Sequence, residues 1–150
     1  MRERNIYTAL DLEMTGLDVK SDRIIEIGAI RVEHGVVTGT FSTLVSPGRE
    51  LEARVQELTN ITDRMLEGAP GIREAMEGLS AFTEGLPILG HNIAFDYRFL
   101  KQAAVDQGMC FERDGIDTLA LCRRFMPPDE KKNLGSACQY YGIGPQAAHR

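Results

Sequence analysis

The spacing of apolar residues changes near residue 50, and that change constrains the fold more than any other feature. Up to Pro47 the apolar residues fall in short strand-like runs. Ile6 to Met14 sets Ile6, Leu10, Leu12 and Met14 on one face and Tyr7, Ala9, Asp11 and Glu13 on the other, the period of a strand. Ile24 to Val32 is a second strand, and His34-Gly35 turns it into a third, Val36 to Val45, which stops at Ser46-Pro47-Gly48. Three strands so joined predict an antiparallel meander. Beyond them the spacing is helical. Leu51, Val55 and Leu58 form one set, and Ile72, Ala75, Met76, Leu79 and Phe82 form another after Pro70-Gly71, with the loop Thr59-Asn60-Ile61-Thr62 between. A short strand, Pro87 to Gly90, precedes a helix from Ile93 with Phe95, Phe99, Leu100, Ala103 and Ala104 on its inner side. Ile116 to Thr118 is a fifth strand. It leads into a helix ending near Phe125, because Met126 precedes Pro127-Pro128 and is biased out of the helical region. A last helix carries Leu134, Ala137, Cys138 and Tyr141 and ends at Gly142. Strands first, then helices alternating with strands, predict an α/β fold: a five-stranded mixed sheet flanked by helices.

Composition narrows the function. A chain of 150 residues, 43% hydrophobic, buries one sizeable core and is not compositionally disordered. Its 17 Lys and Arg against 22 Asp and Glu give a formal charge of −5, which argues against non-specific duplex binding by a broad basic face. Nucleic-acid chemistry stays open, since bound divalent cations reverse the charge of a small acidic cleft. Cys110, Cys122 and Cys138 are too widely spaced for a CxxC site, so reduced thiols are expected. No apolar run approaches the ~20 residues of a membrane span, and Met-Arg-Glu-Arg-Asn does not open a signal peptide. A cytoplasmic protein with no membrane partner is expected.

Asp11 and Glu13, at i and i+2, project from the same face of one strand, a spacing that lets two carboxylates reach a shared cation. A solvated strand face would explain them equally well. The strand ends at Thr15-Gly16-Leu17, a Gly turn where backbone N–H groups can approach a ligand. A second cluster, His91-Asn92-Ile93-Ala94-Phe95-Asp96, sets Asp96 in the first turn of a helix after a short strand. Taken alone, Asp96 is explained by the helix dipole and Asn92 by capping. Beside an Asp-x-Glu strand, a third acid at a strand-to-helix junction matches how hard-cation sites for phosphoryl transfer are assembled. His149, after Gly144-Pro145, would be a surface residue but for its context.

Three segments, Asp11-Leu12-Glu13-Met14-Thr15-Gly16-Leu17, His91 to Asp96, and Ala148-His149-Arg150, resemble in order and spacing the three motifs of the DEDDh 3′→5′ exonucleases. The likeness is strongest to the proofreading exonuclease of bacterial DNA polymerase III, as epsilon subunit or as a domain within the Gram-positive replicative polymerase. Arg23-Ile24-Ile25-Glu26-Ile27-Gly28-Ala29, Ile116-Asp117-Thr118-Leu119 and Asn133-Leu134-Gly135-Ser136 extend it over essentially the whole chain. The resemblance implies a ribonuclease H-like fold and metal-dependent hydrolysis of DNA from the 3′ end. Asp11, Glu13 and Asp96 would hold two Mg²⁺ or Mn²⁺ ions, and His149 would be the general base. Thr15, Gly16, Leu17, Ile61, Asn92 and Phe95 match substrate-binding positions.

At the loop the family writes Thr-Gly-Ile-Thr, Asn60 replaces the Gly, and Asn tolerates a left-handed backbone. The implied partners are a single-stranded or frayed DNA 3′ end and a DNA polymerase. The family's third motif continues to a fourth metal-binding Asp roughly five residues past the His, so residues 1–150 read as one exonuclease domain cut short just after that His. Two alternatives stand beside this reading: a 3′→5′ exoribonuclease, and a non-catalytic polymerase-associated binding module.

Overall fold

In the computed structural model, residues 5–144 are described. The meander forms as its alternation predicts. β1 (Ile6–Met14) pairs antiparallel with β2 (Ile24–Glu33), and β2 with β3 (Val36–Leu44). His34 and Gly35 turn between β2 and β3 with φ of 50° and 81°, the left-handed geometry of a tight hairpin.

The helical segments follow as α1 (Ala53–Thr59), α2 (Ile72–Phe82), α3 (Ile93–Asp106), α4 (Thr118–Phe125) and α5 (Leu134–Tyr140). Two short strands, β4 (Ile88–Gly90) and β5 (Gly115–Asp117), complete the sheet in the order β3-β2-β1-β4-β5. β4 runs parallel to β1, and β5 parallel to β4. The sheet is therefore mixed, with β1 at the junction between its antiparallel and parallel halves. This is the expected ribonuclease H-like arrangement.

The even-numbered face of β1 enters the core: Thr8, Leu10 and Leu12 are buried. Leu10 and Leu12 pack with Ile27, Ala29 and Ile88 of the sheet, with Ala75, Met76 and Leu79 of α2, and with Phe99, Leu100 and Ala104 of α3. Two arginines fasten the end of α2. Arg31 Nη2 donates to the Phe82 carbonyl at 2.8 Å, and Arg113 Nη2 donates to that of Ser80 at 2.9 Å, so cations meet the negative end of the helix dipole. A second cluster gathers Ile25, Leu51, Val55, Ile61 and Leu66. Cys122, Met126 and Ala137 join α4 to α5.

Three apolar residues counted toward helix cores face outward instead. Leu58 is 81% exposed, and Leu134 and Tyr141 are also exposed. α1 and α5 are each only two turns long, so one buried stripe of two or three residues suffices for packing. The fifth strand stops at Asp117 rather than Thr118, because the Asp117 side chain accepts the Leu119 N–H at 2.9 Å and starts α4 there.

Candidate active site

Pairing of β1 with β4 is what assembles the site. Thr8 and Ala9 stand opposite Ile88 and Leu89 in parallel register, so both strands run toward the same sheet edge. β1 arrives there with Asp11, which is exposed, and the partly exposed Glu13. β4 gives way to α3, whose first turn carries Asp96.

Asp96 feels the charges of both. Its carboxyl is pushed up from 3.8 to about 7, first by burial and then by the negative charges of Asp11 and Glu13. Like charges around a half-desolvated carboxyl disfavour its ionised form. The charges of Asp11 and Glu13 thus reach Asp96 although 85 positions separate the first from the last. Glu26 stands directly opposite Glu13 across the β1–β2 ladder and adds a fourth acid to the neighbourhood.

Hard carboxylate oxygens suit Mg²⁺ or Mn²⁺, and mutual repulsion of the carboxylates is what a cation would relieve. The donor set therefore fits a hard divalent cation. Among the described residues no group of three or more His, Cys, Asp or Glu side chains is arranged to hold a metal ion, so these carboxylates would have to draw together to bind one.

The β4–α3 junction is braced from the neighbouring strand. Asn92 has φ 63° and ψ 51°, a left-handed conformation that Asn adopts more readily than most residues. Its N–H donates to Asp117 Oδ1 at 2.9 Å, the same oxygen that caps α4. His91 lies beside it, with Nε2 2.6 Å from the Lys132 carbonyl and Nδ1 2.9 Å from the Thr118 hydroxyl. A carbonyl only accepts, so Nε2 carries a proton, and in the neutral ring Nδ1 accepts from Thr118. Three segments, the end of β4, the start of α4 and the loop before α5, are thus tied at the turn that presents Asp96.

The remaining sequence-predicted residues divide. Leu17 is 81% exposed. Gly16 and Phe95 are partly exposed and Asn92 is exposed. Phe95 leans on Phe99 with ring centroids 5.3 Å apart. Thr15 turns its hydroxyl to Asp22. Ile61 is fully buried in the second cluster and presents no surface to a ligand in this conformation. Asn60 has φ 56° and ψ 25° as the C-cap of α1, the left-handed conformation its identity predicts. His149 lies outside the described residues.

Nothing in the sequence singles out Asp22 or Asp117 for a role. Asp117 before Thr118 has a cap's identity, but its second contact, to Asn92, comes from 25 residues away and leaves no local signal.

The exonuclease family (RNase_T) matches over residues 8–150, and the chain belongs to that family. A PolC-type DNA polymerase III from Thermotoga petrophila is 39% identical over 149 residues, covering 99% of this chain and 11% of the polymerase. The DNA polymerase III epsilon subunit of Aquifex aeolicus is 34% identical over 145 residues, 96% of this chain and 72% of that one. The chain therefore spans about a tenth of the PolC-type relatives and nearly three-quarters of the epsilon subunits it matches. Among solved structures the fold matches exonuclease X in complex with 5′ overhanging duplex DNA. That match has a TM-score of 0.73 and 22% identity, and covers 93% of this chain and 75% of the other. An exonuclease I complexed with SSB-Ct matches with a TM-score of 0.81 and 16% identity, covering 97% of this chain and 38% of that one. The chain is an exonuclease-family domain related to DNA polymerase III components. Among the described residues no helix is long and apolar enough to cross a membrane.

Proposed function

We propose that this chain is a metal-dependent 3′→5′ exodeoxyribonuclease domain that removes nucleotides from single-stranded or frayed DNA ends in association with a replicative DNA polymerase. One observation carries the reading: the Asp96 carboxyl is held near pH 7 by burial and by Asp11 and Glu13 at the common end of parallel β1 and β4. Carboxylates so crowded gain from a divalent cation what they lose to one another.

Asp11 and Glu13 from β1, with Asp96 from α3, would hold the cations. When bound, two such ions stabilise the entering and leaving oxygens of an in-line displacement at phosphorus. A water oxygen forms the new bond to phosphorus and the bond to the bridging 3′ oxygen breaks; the released nucleotide keeps the 5′ phosphate, and the 3′ oxygen takes a proton from solvent to become a 3′ hydroxyl. His149 takes the proton of the attacking water, a general-base role that an imidazole nitrogen can fill. Gly16 and Leu17 meet the terminal nucleotide, and Asn92 and Phe95 line the path of the strand. The relatives named as DNA polymerase III components support the polymerase partner.

End-labelled single-stranded DNA tests the proposal. In Mg²⁺ or Mn²⁺ a 5′ label should give a ladder shortening from the 3′ end, and a chelator should abolish it. Full activity in chelator, or laddering past a blocked 3′ end, would refute it. Faster hydrolysis of a matched RNA oligomer would move the substrate class to RNA.

A further inference from the structure

One carboxylate closes the turn that follows β1. Asp22 Oδ1 accepts the Thr15 hydroxyl at 2.9 Å, and Oδ2 accepts the Asp18 N–H at 2.9 Å. Thr15 Oγ1 in turn accepts the Arg23 N–H at 2.9 Å, and the Thr15 N–H donates to the Arg23 carbonyl at 2.9 Å. The Asp22 N–H returns to the Asp18 carbonyl at 2.7 Å. A hydroxyl has one proton and two lone pairs, and the proton and one lone pair of Thr15 are engaged inside the turn. Thr15 therefore has no hydroxyl proton to offer a nucleotide. The same carboxylate explains the next residue, because a Cβ on Gly16 would fall 2.7 Å from Asp22 Cγ. Leu17, one residue further, is the side chain the turn pushes outward, 81% exposed.

We propose that Asp22 is a positioning residue. Acting through Thr15, its carboxylate holds Gly16 and Leu17 in the conformation that receives the terminal nucleotide, and Thr15 shapes the turn rather than touching substrate. The inference rests on the function proposed above and deepens it. A carboxylate is required because two oxygens must each accept from a separate donor, and an amide would turn its NH₂ toward one of them. Without Asp22 the turn must be ordered when the strand end binds, which weakens binding. Asp11 and Glu13 sit upstream within β1, held by its ladder to β2, so the chemical step is left intact. The expected signature is a KM effect at nearly constant kcat.

The test uses the full chain on a short single-stranded DNA with Mg²⁺. Asp22→Ala and Thr15→Val should each raise KM about tenfold with kcat within about twofold. The double variant should match the single ones, because both break one device, and Thr15→Ser, which keeps the hydroxyl, should behave as the unsubstituted chain. The inference is overturned if kcat falls at unchanged KM, if the two effects multiply, or if Thr15→Ser is as impaired as Thr15→Val. Melting temperatures read the geometry without turnover: Gly16→Ala should destabilise the chain with Asp22 present and do so much less in the Asp22→Ala background. An equal loss in both backgrounds overturns the placement. If the unsubstituted chain cleaves no DNA with Mg²⁺ or Mn²⁺, the proposed function has failed and this inference falls with it. If it cleaves and all variants keep its KM, this inference alone fails.

Discussion

Replacing Asp96 with asparagine should stabilise the metal-free protein, increasingly so as pH rises. The folded carboxyl titrates near 7 against an ordinary 3.8 in the unfolded chain, so between these values the folded state binds more protons than the unfolded one. Stability therefore falls as pH rises through that window and levels off above it. Full burial would make a shift of this size cost about 4 kcal/mol. Asp96 is only partly buried, and water and salt screen the charges that reach it, so about 2 kcal/mol is expected at pH 8.

An amide at this position carries no charge to repel Asp11 and Glu13. The Asp96→Asn variant should thus melt about 4–8 °C higher than the unsubstituted chain at pH 8 in chelator, and nearly together with it at pH 4. Mg²⁺ should reverse the order, since an ion bound by the folded state stabilises by mass action and the variant has lost one ligand. Differential scanning calorimetry at several pH values, with chelator and then with Mg²⁺, measures each effect. Equal melting at pH 8 in chelator, or a variant less stable there, would refute the convergence of the three carboxylates.

Ile61→Ala should cost about 3 kcal/mol in chemical denaturation because Ile61 is a fully buried core residue; unchanged stability with a raised KM would instead make it a substrate contact. Asp117→Ala should cost about 1–2 kcal/mol by removing the acceptor shared by Asn92 and Leu119. Asp117→Asn, which keeps one oxygen, should lose less, and equal losses in urea melts would count against the shared-acceptor account. Asn60→Gly should be nearly neutral and Asn60→Ala should cost about 1 kcal/mol, given the left-handed backbone at that position; the reverse order would show that a side-chain contact, not the backbone, governs Asn60.

Much of this protein is written in neighbouring residues. The period of two over Ile6–Met14 and the period of 3.6 over Ile72–Phe82 appear as strand and helix with the expected bounds, because side-chain direction follows local backbone geometry. For the same reason Asp11 and Glu13 share a face whatever the rest of the chain does. Asn60 announces its left-handed conformation by its own side chain.

Other features needed the tertiary structure. Periodicity groups residues on a face but does not say how much of that face finds a partner, so Leu58, Leu134 and Tyr141 are outward while Ile61, in a loop, is enclosed. Asp96 comes within reach of the charges of Asp11 and Glu13 only because β4 pairs parallel with β1. Asp22 and Asp117 look like ordinary surface acids in the sequence. Each is defined by donors that chain folding brings to it, Thr15 and Asp18 for one, Asn92 and Leu119 for the other. An acceptor's partners depend on which backbone N–H groups the fold leaves pointing at it, and only the assembled sheet and helix ends decide that.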